Sequence, residues 1–386
     1  MEPIDKLRLL GPAAQIESAE DVGLGGRREP PAPAPRDLSR CISYATLPGG
    51  RRQPMLKTYV SSVCQNDCRY CGIRAGRDTQ RTTFSPDELA SLGNRLWEQG
   101  LVKGIFLSSG LNGNGVRTQD QIIATAELLR RKYQYPGFLH LKLMPGIEHE
   151  QVVETMRWAD RVSLNLEAPN ARRLSDLAPR KQFSDDLLRR LRWADEVRQN
   201  GASPSGYGRK ASLATQFVVG AVGEPDLELL LTASFLYREL GLARTYFSGF
   251  APVPGTPLED HAPTDPRREH RLYQASFLLR DYAFDVEDLP FSQEGNLPLE
   301  IDPKLAWARS HLVEDPIEVN TADRRLLLRI PGIGPKSADR ILRARRQGTL
   351  RELSHLRQLG IAVGRVAPFV LLDGTQAPRQ LPLFAV

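Results

Sequence analysis

Six short runs of strand-forming residues, each followed by a run with helical periodicity, fill the chain between residues 55 and 282. This alternation requires a parallel sheet, either open and doubly wound or a closed or partly closed barrel. In both arrangements ligands bind at the carboxyl ends of the strands and in the loops that follow. The predicted strands are 55–60, 104–108, 138–143, 161–166, 213–220 and 245–250, and the predicted helices are 86–99, 119–132, 149–159, 185–199, 225–240 and 266–282.

Composition limits the class of protein. Hydrophobic residues make up 41% and charged residues 25% of the 386 residues, which are ordinary values for a globular chain. No apolar stretch approaches the roughly 20 residues that span a bilayer, and the first residues lack the charged and apolar regions of a leader peptide. We therefore expect a cytoplasmic protein that does not contact a membrane.

Four segments are expected along the chain. Residues 1–40 read as a poorly ordered lead-in, because 29–36 is rich in proline. The barrel is expected over 41–282 and a connector with one helix (303–311) over 283–316. The last segment, 317–386, is predicted to be a small all-α module with helices at 321–328, 337–346 and 350–359 and a tight hairpin at 330–336.

Three of the four cysteines, Cys64, Cys68 and Cys71, lie in the loop that follows the first predicted strand. Structural zinc sites and [4Fe-4S] clusters normally take four protein ligands, so three thiolates leave one coordination position open for another ligand. On spacing alone, a zinc site completed by Cys41 or a histidine, or a Cys68 and Cys71 thiol pair, are the alternatives.

The C-x3-C-x2-C spacing, with the aromatic Tyr70 just before the third cysteine, resembles the radical S-adenosylmethionine (SAM) superfamily. The resemblance implies a [4Fe-4S] cluster on Cys64, Cys68 and Cys71, whose open iron binds the amino and carboxylate groups of S-adenosylmethionine. It also implies reductive cleavage to a 5′-deoxyadenosyl radical, which abstracts hydrogen from a substrate. A reductant such as flavodoxin or ferredoxin would supply the electron. The fold it implies is a partial (β/α)6 TIM-like barrel.

The same resemblance assigns roles to polar residues at the ends of the predicted strands. Three polar side chains share one face of the fourth strand, which is unusual in a buried strand unless a ligand binds them. The residues are Tyr70 near the adenine, Ser108, Ser109 and Gly110 at the methionine amino group, Lys142 at a carboxylate, Ser163, Asn165 and Glu167 at the ribose and methionine carboxylate, and Gln216 and Gly220 along the adenine.

Cys41 stands apart from the cysteine motif. A radical enzyme needs a donor that quenches or relays the substrate radical, and a thiol can supply that hydrogen, so Cys41 is a candidate catalytic residue. The alternative is a buried cysteine with no part in the chemistry.

The C-terminal segment carries a basic hairpin. From residue 316 onward there are 12 Lys and Arg against 5 Asp and Glu, whereas the chain before it is nearly neutral. The Ile-Pro-Gly-Ile-Gly-Pro-Lys sequence at 330–336 resembles a helix-hairpin-helix, in which backbone amides and basic side chains hold phosphates without reading bases. Use of the hairpin for packing or protein contact is the alternative. The candidate DNA contacts are Gly332, Ile333, Gly334, Lys336, Ser337 and Arg340.

The order of the two parts resembles a bacterial group of radical SAM proteins assigned to DNA modification or repair, over residues 41–369. The expected activity is radical-based repair or modification of a base in duplex or damaged DNA, bound without sequence specificity. Structured RNA is an alternative substrate, and a non-catalytic DNA-binding protein with a metal cluster is an alternative class. An iron-sulfur DNA glycosylase is disfavoured, since its cysteines follow the hairpin whereas these precede it.

Overall fold

A computed structural model describes residues 1–14, 38, 40–46, 52–201 and 210–376 of the chain. The chain forms two compact units. The first comprises Met1–Glu224 and Phe235–His270, and the second comprises Pro225–Ser234 and Arg271–Val386.

The first unit is built on a seven-stranded sheet whose strand order is the order along the chain. β1 pairs antiparallel with β2, and every later neighbour pairs parallel. Because each helix returns the chain to the adjacent strand on the same side, the winding is that of a barrel, and the doubly wound alternative is excluded. The strands are β1 (Ile42–Thr46), β2 (Arg52–Tyr59), β3 (Gly104–Ser108), β4 (Phe138–Lys142), β5 (Arg161–Ser163), β6 (Ser212–Val219) and β7 (Arg244–Gly249).

Eight helices accompany these strands in the described residues. Ser85 caps α2: its hydroxyl accepts from the Glu88 amide at 3.2 Å, and its own amide donates to the Glu88 carboxylate at 2.8 Å. The helices are α1 (Pro3–Ala13), α2 (Pro86–Glu98), α3 (Gly115–Glu127), α4 (His149–Trp158), α5 (Ala171–Leu177), α6 (Arg189–Gln199), α7 (Asp226–Glu239) and α8 (Pro266–Asp281).

Two predicted helices differ in detail from the observed ones. The helix predicted at 119–132 begins earlier, at Gly115, and its end, Leu128–Lys132, is a π-helical turn. The helix predicted at 185–199 is preceded by another π-helical turn, Phe183–Leu188. Hydrophobic periodicity does not distinguish the two helical forms over a single turn.

The expectation of a poorly ordered lead-in is wrong for residues 3–13, which form α1. Leu7 and Leu10 are fully buried, and Lys6 forms an ion pair of 2.6 Å with Glu88. The sequence did not predict α1, because a short helix with only two buried leucines three residues apart shows too little periodicity. The proline-rich stretch 29–36 lies outside the described residues.

The second unit is mainly helical, as predicted. Its helices are α9 (Pro303–His311), α10 (Arg324–Arg329), α11 (Pro335–Ala344), α12 (Leu353–Gln358) and α13 (Val363–Val366). It also holds a small three-stranded sheet that the all-α expectation omitted, formed by β8 (Ile317–Glu318), β9 (Val370–Leu372) and β10 (Thr375–Gln376). These strands of two or three residues are too short to show a period in sequence.

Candidate functional site

A cleft opens to solvent at the carboxyl ends of β2 to β5, where a parallel barrel places its ligands. It brings together all three cysteines of the motif and most of the residues predicted to hold the cofactor. The predicted residues that line it are Cys64, Cys68, Cys71, Tyr70, Ser108, Ser109, Gly110, Lys142, Asn165 and Glu167.

The loop that carries the cysteines is held by one guanidinium. Arg81 donates to the carbonyl of Ser62, before the first cysteine, at 2.5 Å. It also donates to the carbonyls of Ile73, Arg74 and Arg77, after the last cysteine, at 2.7, 2.9 and 3.0 Å. Because these four acceptors flank the motif on both sides, Arg81 fixes the two ends of the loop relative to each other.

Position 110 requires a glycine, because its backbone packs closely against the loop that carries the cysteines. A Cβ atom at that position would lie 2.4 Å from the carbonyl oxygen of Val63 and 3.1 Å from the Cβ of Cys64. The Gly110 amide donates to the carbonyl of Ser61 at 2.8 Å. A glycine here lets the end of β3 pack against the start of the cysteine loop.

Burial keeps two thiols of the motif, those of Cys68 and Cys71, protonated in the metal-free chain by raising their pKa values. Burial raises the pKa of Cys68 to about 11, against the opposing charge of Lys181. Burial also raises the pKa of Cys71, and the neighbouring Cys68 adds to the shift. Metal binding needs thiolates, so loading this site releases protons.

No three His, Cys, Asp or Glu side chains among the described residues converge closely enough to hold a single metal ion. A [4Fe-4S] cluster binds each cysteine through a different iron, so its thiolates do not share one point. The three-thiol set is consistent with such a cluster.

Glu167 stands at the wall of the cleft in a strained conformation. Its φ of 65° lies in the left-handed region, which is unusual for a residue other than glycine. One carboxylate oxygen accepts from Lys181 at 2.7 Å, whereas the other, Oε2, is buried without a hydrogen-bond partner. Lys181 was not predicted, because only the fold brings it beside Glu167. A buried acceptor without a partner is suited to a ligand hydroxyl or amino group.

Lys142 and Asn165 both line the cleft, and the Lys142 ammonium donates to the Asn165 side-chain oxygen. Ser163 does not line the cleft; its hydroxyl lies 2.8 Å from Nε2 of His140. Burial, reinforced by nearby cations, lowers the pKa of His140 well below its usual value, so the ring is neutral. Ser163 therefore lies one layer below the cleft.

Gln216 and Gly220 also lie outside the cleft lining. The Gln216 carbonyl accepts from the Glu167 amide at 3.0 Å, so this residue supports the cleft wall through its backbone. Gly220 has φ of +87°, and its amide donates to the carboxylate of Glu224. Direct contact of either residue with a cofactor stays a prediction.

Cys41 lies outside the cleft lining as well. It packs so closely beneath α1 that a Cβ on Gly11 would lie 2.3 Å from its sulfur. Its thiol donates to the Leu7 carbonyl at 3.4 Å, and burial raises its pKa to about 11. These contacts give Cys41 a packing function, and its role as a hydrogen donor stays a prediction.

In the second unit, the hairpin between α10 and α11 has the geometry of a backbone-exposed turn. Gly332 is exposed with φ of +88°, and Ile333 is 1% exposed and anchors the turn in the core. Lys336 is exposed at the start of α11, and Arg340 lies one turn later, with its guanidinium 3.2 Å from the Ser337 hydroxyl. Five of the six predicted contact residues therefore lie in the turn or the first turn of α11 and Arg340 lies in the middle of that helix, but the side chain of Ile333 is buried and is not available to a phosphate.

Lys304 supports this hairpin from α9. Its ammonium donates to the Ile333 carbonyl at 2.6 Å and lies 4.6 Å from the ring centroid of Tyr282. Burial lowers the pKa of Lys304 to about 7, and Arg365 adds to this shift while Asp302 opposes it. No local sequence pattern predicts this contact, because 29 residues separate the two partners.

Not every basic residue of the module faces solvent. The guanidinium of Arg345 donates to the carbonyls of Val319 and Ala322 at 3.1 and 2.6 Å. Arg345 therefore stabilises the fold of the unit, whereas Arg343 and Arg346 are exposed.

Comparison with known families gives two matches. Residues 58–207 match the model of the Radical SAM superfamily, and residues 313–363 match the model of the helix-hairpin-helix motif. Members of the first superfamily bind a [4Fe-4S] cluster and S-adenosylmethionine. The predicted order of a partial barrel and a C-terminal helix-hairpin-helix is confirmed. No helix in the described ranges is long and apolar enough to cross a membrane.

Individual relatives are distant. The chain is 24% identical over 221 residues to the threonylcarbamoyladenosine tRNA methylthiotransferase MtaB of Thermotoga maritima, covering 54% of this chain and 47% of that protein. It thus spans about half the length of this curated relative. Methylornithine synthase (PylB) is similar at 13% identity with a TM-score of 0.46, covering 57% of this chain and 60% of that one. A radical SAM methyltransferase from Sphaerobacter thermophilus is similar at 16% identity with a TM-score of 0.43, covering 62% and 66%.

Proposed function

We propose that this chain, which contains a radical SAM domain and a helix-hairpin-helix motif, is an enzyme that modifies or repairs nucleic acid. In this proposal Cys64, Cys68 and Cys71 hold the [4Fe-4S] cluster and the cleft holds S-adenosylmethionine. When bound, the two cofactors supply a 5′-deoxyadenosyl radical that abstracts hydrogen from the substrate. The leading substrate is a base of duplex or damaged DNA.

The cleft residues fit this cofactor pair. Glu167 offers a buried oxygen without a protein partner, which suits a donor group of the cosubstrate. Ser108 and Ser109 present polar atoms beside the loop that carries the cysteines. Gly110 leaves room where a side chain would displace Val63 and Cys64. Together these residues bind and orient the cosubstrate, and the buried walls limit the access of water.

The hairpin suits the backbone of a nucleic acid. Exposed amides at the N-terminus of α11, together with Lys336 and Arg340, provide contacts for phosphate oxygens. Such contacts hold a duplex without reading its sequence. A base inside a duplex is out of reach of a cleft, so the reacting nucleotide must be extruded, and a damaged base leaves the stack more easily.

The proposal depends on one observation: the same chain contains a cleft with three thiols, which fits the cofactors, and a basic hairpin, which fits phosphates. A metal cluster with a purely structural role would not need an acceptor such as Glu167 Oε2 in the same cleft. This argues for an enzyme over a non-catalytic DNA-binding protein.

RNA modification is the second candidate. The curated relative MtaB acts, by its name, on a tRNA nucleoside. Phosphate contacts alone do not distinguish the two polymers, because DNA and RNA share the phosphate backbone. Structured RNA therefore enters the test beside duplex DNA.

The test measures 5′-deoxyadenosine. The chain is reconstituted anaerobically with iron and sulfide, reduced, and supplied with S-adenosylmethionine alone, with duplex DNA, with damaged duplex DNA or with structured RNA. The expected result is product formation that one of the polymers increases, and the polymer with the larger increase identifies the substrate class.

Two cysteine variants serve as a matched pair. Cys68→Ala should lose the cluster and all product, whereas Cys41→Ala, which changes a buried cysteine outside the cleft, should keep the cluster. A wild-type chain with a complete cluster and no product would contradict the enzyme assignment. Formation of 5′-deoxyadenosine in Cys41→Ala without the modified nucleic-acid product, with the cluster intact, would instead support a hydrogen-donor role for Cys41.

A further inference from the structure

We propose that Arg69, Arg172 and Arg180 form a phosphate-binding rim at the mouth of the barrel cleft, which holds the nucleic-acid backbone on either side of the reacting nucleotide. This inference rests on the proposed function and adds a second nucleic-acid contact, in the first unit of the chain. These three residues are called the rim below.

Hydrogen bonds join the cysteine loop, which carries Arg69, to the last residue of α5 and to Arg180 in the segment that follows, while Arg172 lies in the first turn of α5. The Arg69 amide donates to the Leu177 carbonyl at 2.8 Å. The Arg180 amide donates to Asp67 at 3.2 Å, and its guanidinium donates to the Gln65 carbonyl at 2.5 Å. The cysteine loop and the segment after α5 therefore form one continuous edge beside the cleft.

This edge carries a net positive charge. Some of its basic side chains point into the protein, and others are exposed to solvent. Residues 171–181 contain four basic residues and one acidic residue, Asp176. Two of the basic residues turn inward, since Arg173 donates to the Val222 carbonyl at 2.8 Å and Lys181 pairs with Glu167. Arg172 and Arg180 remain exposed, as does Arg69 on the cysteine loop.

The inward side chains belong to the cleft and the outward ones do not. Lys181 is only 10% exposed and lines the cleft, whereas the Arg180 side chain is 61% exposed. Asp67 partly neutralises Arg180, at a separation of 3.8 Å. The remaining positive charge is thus carried outside the cofactor space, where a polymer can reach it.

Hydrogen abstraction from a nucleotide requires that the flanking backbone be held close to the cleft. Radical transfer needs the reacting atoms held at about 3–3.5 Å, and a hairpin that binds phosphates in the other unit does not by itself fix one nucleotide at that precision. Guanidinium groups recognise phosphate through paired hydrogen bonds. A rim of guanidinium groups at the cleft can fix the flanking phosphates while the nucleotide enters.

The test compares salt dependence of binding by the full chain to a fluorescent duplex and to a structured RNA. The rim variant is Arg69→Gln with Arg172→Gln; Arg180 is left intact because it also holds the loop. If each arginine contacts one phosphate, the slope of log affinity against log salt falls by about 2 for the duplex. Because the two chains should then bind alike near 1 M salt, binding at 0.1 M salt weakens by roughly 60-fold.

A charge-matched variant and a hairpin variant complete the design. Arg95→Gln with Arg192→Gln removes the same charge from exposed helix positions away from the cleft, and it should leave the slope unchanged. Lys336→Gln with Arg340→Gln should weaken binding independently of the rim. If the rim variant keeps the wild-type slope, or the charge-matched variant loses as much, the rim is refuted while the proposed function stands. A wild-type chain that binds neither polymer would refute both.

Discussion

The cleft of the barrel and the hairpin of the second unit both suit charged ligands, yet they are built in opposite ways. In the cleft the polar groups are buried: Glu167 is 3% exposed, and Lys142 and Asn165 are each 6% exposed. In the hairpin the apolar Ile333 is buried, whereas Lys336 and the turn at Gly332 face solvent. Buried charges interact strongly and require partners, whereas exposed charges are screened by salt.

The difference indicates what each site can do. A cleft that desolvates its charges can hold one small ligand in one orientation and exclude water. An exposed turn can exchange positions along a polymer, since its contacts are weak, repeated and salt-dependent. Substitutions in the cleft should therefore change stability most, and those in the hairpin should change it less.

The largest effect is expected for Lys181→Met, which removes the partner of the buried Glu167 carboxylate. An uncompensated buried charge typically costs about 3–5 kcal/mol, so the free energy of unfolding should fall by that amount. Urea denaturation of the metal-free chain measures it. The double variant Lys181→Met with Glu167→Gln should recover most of the loss, and no recovery would show that the pair does not act as a unit.

The next effect is expected for Arg81→Gln, which removes the guanidinium that joins the two ends of the cysteine loop. Hydrogen bonds from charged donors are strong, so the free energy of unfolding should fall by about 2–3 kcal/mol, and iron incorporation should fall with it. Arg77→Gln is the matched control, because Arg77 donates to two carbonyls, those of Gly72 and Pro254. Equal iron loss in the two variants would contradict a special role for Arg81.

The hairpin gives a pH-dependent effect through Lys304. Burial lowers the pKa of this lysine to about 7 in the folded chain, compared with 10.5 for the unperturbed group. The unfolded chain therefore binds more protons between pH 7 and 10.5, so the contribution of Lys304 to stability should increase with pH across that interval. From pH 7 to 9 the increase should be about 2 kcal/mol, which the difference between the wild type and Lys304→Met isolates.

Three charged or titratable side chains face Lys304, those of Asp302, Arg365 and Tyr282. Asp302 and Arg365 form an ion pair at 3.0 Å. Burial raises the pKa of Tyr282 above its usual value of 10, so the phenol stays neutral up to at least pH 9. A wild-type minus variant difference that is flat from pH 7 to 9 would show that Lys304 is not held neutral.

The smallest effect is expected for Gly332→Ala, at the exposed turn. Its φ of +88° disfavours alanine, and the added Cβ would lie 3.1 Å from side-chain atoms of Arg365 and Val366. The cost should be about 1–2 kcal/mol, with weaker nucleic-acid binding. Gly348→Ala is the control, because no atom lies within 4 Å of a Cβ there. Thermal unfolding of both variants measures the difference, and equal shifts would refute the strain argument.

Much of the scaffold followed from local sequence signals. The predicted strand 104–108 coincides with β3, the predicted helix 303–311 coincides with α9, and Ser85 caps α2 as its position before Pro86 indicates. Sequence did not predict β1, whose pairing with β2 depends on a partner, or α1, whose burial depends on Cys41 and Glu88. Short elements carry too few residues to show a period.

The residues of the candidate site also fall into those that the sequence predicted correctly and those that it did not. The cysteine spacing placed Cys64, Cys68 and Cys71 together, and the ends of the predicted strands placed Ser108, Lys142 and Asn165 near them. Ser163 and Gln216 were predicted on the same reasoning, but the structure places them outside the cleft lining. The register between neighbouring strands decides which polar side chain lines the cleft. The sequence predicts which residues share one face of a strand, but it does not predict how far each residue lies from the cleft.

The sequence by itself determined the alternation of strands and helices, the cysteine motif and the glycine-rich hairpin, because each depends on residues close together in the chain. The strand order, and with it the winding of the barrel, was decided by the tertiary structure. Only the tertiary structure decided that Lys181 pairs with Glu167, that Arg180 reaches the carbonyl of Gln65 across 115 residues, and that Gly110 must lack a side chain beside Val63. These contacts join segments with no local periodicity in common, and their energies depend on burial that exists only after the chain has folded.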